Sequence, residues 1–149
     1  RGECCSLKNE DMQDNILHIR GTKTASADRY IVLSRHMKSV LDEQKQWLKE
    51  KGIISPYIFP EIDGEKLNPN HLYGQWETYR NQHGLNASLH EMRHTHISVA
   101  KADVPEQLLK KAVGHTKSMD TFGIYGHDVK GEMERVANTL DDIFDTLLK

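Results

Sequence analysis

The sequence predicts an α+β domain, mainly α-helical, with a small antiparallel sheet near the N-terminus. Two short apolar runs predict the sheet: Ile16, Leu17 and Ile19, then Tyr30, Ile31, Val32 and Leu33. Beyond residue 35 the apolar residues recur at three- and four-residue spacing, the helical period. Helix start and stop signals (Ser88, Pro105, Gly52, Gly84, Gly114) divide that part of the chain into segments of ordinary helix length.

Arg1 to Lys8 reads as the end of a helix already under way, and Asn9 to Asn15 as a polar turn. The two strands follow, and the polar link between them, Gly21 to Arg29, carries Lys23 near its start. His36 to Lys51 is an amphipathic helix with Met37, Val40, Leu41, Trp47 and Leu48 on one side and Gly52 as its stop. Ile58-Phe59-Pro60 is a short buried segment, and Asp63-Gly64 a turn. Asn70 to His83 is helical, with Leu72, Trp76 and Tyr79 inward; Tyr30, Tyr57 and Tyr73 are also assigned to the core. Ser88 with Glu91 three residues on is a capping box, opening a helix to about Ala102. Pro105 lies in the first turn of the next helix, which ends near Gly114. Two more helices are expected, around Met119 to Gly126 and Val129 to Leu148.

A chain of 149 residues, 37% hydrophobic, can build one domain around one core. No apolar run approaches the roughly 18 residues that a membrane span needs. The two cysteines, Cys4 and Cys5, are adjacent. They form no disulfide framework, so a reducing cytoplasm is the expected setting. Net charge is -2, which does not by itself suggest nucleic acid. The acids gather at the end, however. Of 20 bases and 22 acids, two and five lie in residues 131–149, leaving 18 and 17 in the body. Phosphate neutralisation supplies most non-specific affinity, so this stretch alone is expected to hold DNA weakly.

The chemistry-bearing residues run from His90 to His127. His90 and Arg93 are three apart on a helix and share a face. Gly114-His115 follows, and ten residues after that histidine comes Tyr125, within Ile124-Tyr125-Gly126-His127. Leu89-His90-Glu91-Met92-Arg93-His94-Thr95, Val113-Gly114-His115 and Tyr125-Gly126-His127, in that order and spacing, resemble the tyrosine recombinase family of phage-type integrases. That family has a lysine in an earlier β-hairpin, and Lys23 in Gly21-Thr22-Lys23-Thr24 fits the place. Glu3, Leu7, the acidic turn and Phe59-Pro60 also fall where the family would put them, so the resemblance spans essentially the whole chain.

The resemblance implies a site-specific DNA recombinase that cuts and rejoins strands through a 3′-phosphotyrosyl link, integrating or excising a mobile element. Tyr125 would be the nucleophile, His90 would help with its proton, Arg93 and His115 would bind the phosphate, and Lys23 would protonate the departing 5′ oxygen. Phosphodiester cleavage asks for the same residue types. A phenol of pKa about 10 needs help to lose its proton. A guanidinium offers paired donors that match phosphate oxygens and stays charged. The covalent link conserves the bond energy, so no cofactor, ATP or metal is expected. The partners implied are double-stranded DNA and further copies of the protein on DNA, a dimer or tetramer. The family has one more arginine, two residues before a Gly-Glu pair. Here that pair is Gly2-Glu3, and Arg1 is one residue out of register, about 100° around a helix. That arginine and an N-terminal DNA-clamping domain are therefore expected outside this sequence, which reads as the C-terminal catalytic domain.

Other readings compete. His90-Glu91-Met92-Arg93-His94 matches the His-Glu-x-x-His pattern of zinc proteases, with His115 as a third ligand. That reading puts an arginine beside the metal and leaves Tyr125 and Lys23 without a purpose. A helix-turn-helix around Pro105 to Gly114 would leave the His/Arg/Tyr set unused. A type IB topoisomerase shares the chemistry, but the length and the Gly-His form favour an integrase. His94 and His96 are assigned to packing or surface, and His127 receives no role.

The last helix carries an apolar stripe of Met133, Val136, Leu140, Ile143, Phe144, Leu147 and Leu148, with Glu134, Asp141, Asp142 and Asp145 opposite. Two readings stay open. The helix packs on its own domain, or residues 133–149 dock on a neighbouring subunit as in the family, in which case their removal leaves the rest folded.

Overall fold

The computed structural model describes residues 1–21, 27–114 and 131–149. Its order is α1 (Gly2–Ser6), a single 3-10 turn (Asn9–Asp11), β1 (Met12–Gln13), β2 (Ile16–Ile19), β3 (Arg29–Val32), α2 (Arg35–Glu50), α3 (Pro69–Gln82), α4 (Leu89–Ala100), α5 (Glu106–Val113) and α6 (Glu132–Leu147). The mainly helical α+β class is as expected.

The sheet is antiparallel in the order β1-β2-β3. Its first strand lies inside the stretch read as a polar turn. Only two pairs hold it, Met12 with Leu17 and Gln13 with Ile16, across a turn in which Asp14 adopts φ 54°. Aspartate tolerates that left-handed conformation better than most residues. In the β2–β3 hairpin, Leu17 faces Ile31, His18 faces Tyr30 and Ile19 faces Arg29. Lys23 lies in the connection, outside the described residues. The neck of that connection is closed, because a Cβ on Gly21 would collide with Ala27.

Two apolar clusters form the core. One joins the sheet to α2: Leu17, Leu33, Leu41 and Ile58, with Met37, Ile31 and Phe59 beside them. The α2 stripe is narrower than expected. Met37, Leu41, Gln44 and Leu48 follow the helical period, whereas Val40 and Trp47 sit about 100° away and are 59% and 44% exposed. The other cluster joins α4, α5 and α6: Ala100, Val104, Leu109, Val113, Val136 and Leu140. Met133, Val136, Ala137 and Leu140 are buried within this chain. Residues 133–144 thus pack on their own domain, the first of the two readings left open, and this burial argues against the remainder folding without them.

The tyrosine assignments also need correction. Tyr30, Tyr73 and Tyr79 are largely exposed. Tyr30 stacks on His18 with ring centroids 4.2 Å apart, and Tyr79 lies between Trp76 and His83 on the open side of α3.

The layers are bolted together at the N-terminus of α2. Ser34, almost fully buried, accepts the Met37 N–H through its Oγ. The Asp141 carboxylate of α6 accepts the N–H groups of Arg35 at 2.8 Å and His36 at 3.1 Å. Asp145 takes the side chains of the same two residues, at 2.7 Å from Arg35 and 2.8 Å from His36. The acidic face of α6 thus satisfies the orphan donors of another helix, where the dipole favours negative charge.

Candidate functional site

The site is built where α4 meets the end of α5. The capping box opens α4 as predicted: the Ser88 hydroxyl accepts the Glu91 N–H at 3.2 Å, and the Glu91 carboxylate accepts the Ser88 N–H at 2.6 Å. The Trp76 indole donates to the Ala87 carbonyl at 3.0 Å and ties the preceding turn to α3. This fixes the first turns of α4, which carry His90 and Arg93. His90 is exposed, and its ring meets His94 edge-on at 4.6 Å between centroids. Arg93 is half-buried.

Helix α5 ends at Gly114, whose φ of 72° is the left-handed conformation that closes a helix and that glycine adopts without strain. Its N–H bonds the Lys110 and Lys111 carbonyls. Two further terminal carbonyls are taken by arginines. The Arg93 guanidinium donates to Val113, across 20 residues of sequence. Arg29 of β3 donates through Nε to Ala112 at 2.9 Å. The rest of Arg29 is engaged with both Glu3 carboxylate oxygens, each at 3.1 Å, and with the Ala27 carbonyl at 2.9 Å. Its side chain is only 11% exposed.

The charges are arranged to match. Burial alone would raise the Glu3 carboxyl, but the Arg29 hydrogen bonds and charge, and behind them the charge of Arg93, hold it below the usual carboxylate range. Burial, with Arg93 second, holds the His96 imidazole below its ordinary value. His96 therefore stays neutral near pH 7 and adds no charge beside Arg93. Arg1 is directed elsewhere, its guanidinium lying over the Tyr73 ring of α3 at 5.2 Å.

Of the residues predicted for the site, His90 and Arg93 share the start of α4, and Arg93 reaches the Val113-Gly114 turn. Lys23, His115, Tyr125 and His127 lie outside the described residues. So does the third ligand of the alternative zinc reading. Among the described residues no three His, Cys, Asp or Glu side chains gather as a metal site. Sequence reasoning missed the Arg29–Glu3 pair as part of this frame. Its signal was strand parity: Arg29 shares a face with Ile31, so a base points inward and needs an acid.

The phage integrase family matches residues 1–132 of the chain. No curated protein matches it. Among solved structures, the crystal structure of XerA recombinase aligns with a TM-score of 0.65 at 19% identity, covering 97% of this chain. The chain spans about half of that one, 52% of its length. Together with the α4–α5 arrangement, the match over residues 1–132 means that this chain belongs to the phage integrase family, the tyrosine recombinases.

Proposed function

We propose that the full-length protein is a site-specific DNA recombinase that integrates or excises a mobile element, and that this chain is its catalytic domain. The observation that carries this reading is the meeting of Arg93 with the Val113-Gly114 turn in a member of the phage integrase family. It brings the described half of the His-x-x-Arg and Gly-His pattern to one place. Among the described residues the guanidinium has the Val113 carbonyl as its partner, and its other N–H groups suit a phosphate.

In the proposed reaction the Tyr125 oxygen attacks phosphorus and its proton passes toward His90. The bond from phosphorus to the 5′ oxygen breaks, and that oxygen takes a proton from Lys23. Arg93 and His115 hold the non-bridging oxygens. Attack by a 5′ hydroxyl of another strand reverses these steps, so strand exchange consumes no ATP. The protein is further proposed to assemble in pairs or fours on double-stranded DNA. The exposed end of α6, Leu147 and Leu148, supports this.

The test is covalent capture. Full-length protein is mixed with nicked duplex DNA bearing the element's ends, so that the cut fragment diffuses away and the adduct persists. Tyr125→Phe removes one oxygen and should abolish the adduct while DNA affinity stays within about twofold. An adduct formed by the Phe variant would remove Tyr125 from the mechanism.

A further inference from the structure

Arg29 stands outside the residue pattern of the proposed reaction, yet it is among the most fully engaged side chains next to it. Four N–H groups of its guanidinium have partners in three places: Glu3 in α1, Ala27 before its own strand, and Ala112 at the end of α5. The neighbouring carbonyl, Val113, is the one that holds Arg93. Two guanidiniums thus grip successive carbonyls of one helix end, where the dipole is negative. They differ in what they have left. Arg29 is nearly buried, and its charge is balanced by Glu3. Among the described residues, Arg93 donates to the Val113 carbonyl and forms no ion pair with an acid.

On the phosphate-binding reading of Arg93, we propose that Arg29, held by Glu3, is a positioning residue for Arg93. By clamping Ala112 it fixes the Val113 carbonyl, and that carbonyl sets the direction of the Arg93 fork. A lysine at position 29 keeps the charge but lacks the planar fork that meets Glu3 and two carbonyls together. Glu3 has a second part in this. Without its negative charge, two guanidiniums would stand beside one helix end with nothing to separate their roles.

The test compares two DNA substrates in the full-length protein. One carries the ordinary scissile phosphate. The other carries a methylphosphonate there, which removes the negative charge that an arginine neutralises. Single-turnover adduct formation is measured well below the melting temperature, together with DNA affinity. Arg29→Gln and Arg29→Lys should each slow the phosphodiester reaction by about a hundredfold, and the methylphosphonate reaction by less than about threefold, with affinity little changed. Arg93→Gln should show the same dependence on substrate. If Arg29→Gln melts below the assay temperature, Glu3→Gln replaces it, with a loss of about tenfold on the phosphodiester alone. Equal losses on both substrates, or no loss in a folded variant, would overturn the positioning role and leave the recombinase reading standing. Absence of any adduct from the unaltered protein on both substrates would overturn that reading, and this one with it.

Discussion

The N-terminus of α2 and the C-terminus of α5 are both closed by side chains from distant parts of the sequence, with opposite charge. Asp141, about a hundred residues away, closes α2. Arg29 and Arg93 close α5. Each choice suits the local pole of the helix dipole. The closures differ in completeness. At α2 the donors of Arg35, His36 and Met37 all find acceptors, and Asp145 takes the Arg35 and His36 side chains as well. At α5, four N–H groups of Arg29 are engaged, whereas among the described residues Arg93 makes one hydrogen bond, to Val113. The first arrangement is a joint between layers. The second is a frame that holds Arg93 at one point, the arrangement the proposed phosphate site needs.

If α2 is a joint, breaking what holds Asp141 in place should have the largest effect on folding. Leu140 precedes it and is buried among Val104, Leu109 and Val113. Leu140→Ala should lower unfolding free energy by about 2–4 kcal/mol, read from chemical denaturation. Truncation before residue 133 should unfold the domain outright. A shortened chain that still unfolded cooperatively would mean that the α4–α5 cluster closes without α6.

A smaller effect is expected at the joint itself. Asp141→Asn leaves an uncharged acceptor at the end of α2 and should cost about 1 kcal/mol at neutral pH. Burial raises the Asp141 carboxyl, but the Arg35 and His36 N–H groups outweigh it, so its folded pKa is depressed. A depressed carboxyl stabilises the fold above its unfolded pKa, and that stability is lost as pH falls from about 4 through the folded value. The variant should therefore lose less stability than the unaltered protein between about pH 5 and pH 3. Equal acid sensitivity would shift the cause to Glu3 and Asp11, whose carboxyls are also held low.

Much of this was legible in the sequence because the signals were local. The Ser88–Glu91 box and the Gly114 stop depend on neighbours three or four residues away, and both stand where the pattern put them. The two strands of the hairpin, Ile16–Ile19 and Arg29–Val32, stand within a residue of the apolar runs that predicted them. What escaped notice depends on distant partners. No window of sequence relates Asp141 to Arg35, or Arg29 to Glu3 and Ala112. For that reason the acids of α6 could be placed opposite the apolar stripe but given no partner. Val40 and Trp47 were misread because periodicity defines a broad stripe, and the neighbours cover only its middle. At the site, the pattern named His90 and Arg93 correctly as neighbours on α4, but the carbonyl that accepts from Arg93 was invisible to it.

The smallest effect on stability is expected at the far end of α6. The stripe that begins in the core with Met133 and Val136 runs out at Leu147 and Leu148, which are 62% and 72% exposed. Exposed leucines at a helix end contribute little to the fold, so Leu147→Ser with Leu148→Ser should change unfolding free energy by no more than about 0.5 kcal/mol. Between α4 and α5 the surface offers a groove lined by Ile97, Ala102, Leu109 and Val113, with Lys101, Glu106 and Lys110 at its rim. An apolar helix end is a suitable occupant for such a groove. A second copy supplies one without exposing further surface, because head-to-tail contacts close into rings when the rotation allows. Under the proposed assembly, the double variant should bind a single DNA site as the unaltered protein does, yet form less of the paired-site complex in sedimentation. An unchanged amount of that complex would confine α6 to its role at the joint. The comparison between a closed helix end and an open one would then hold within one subunit only.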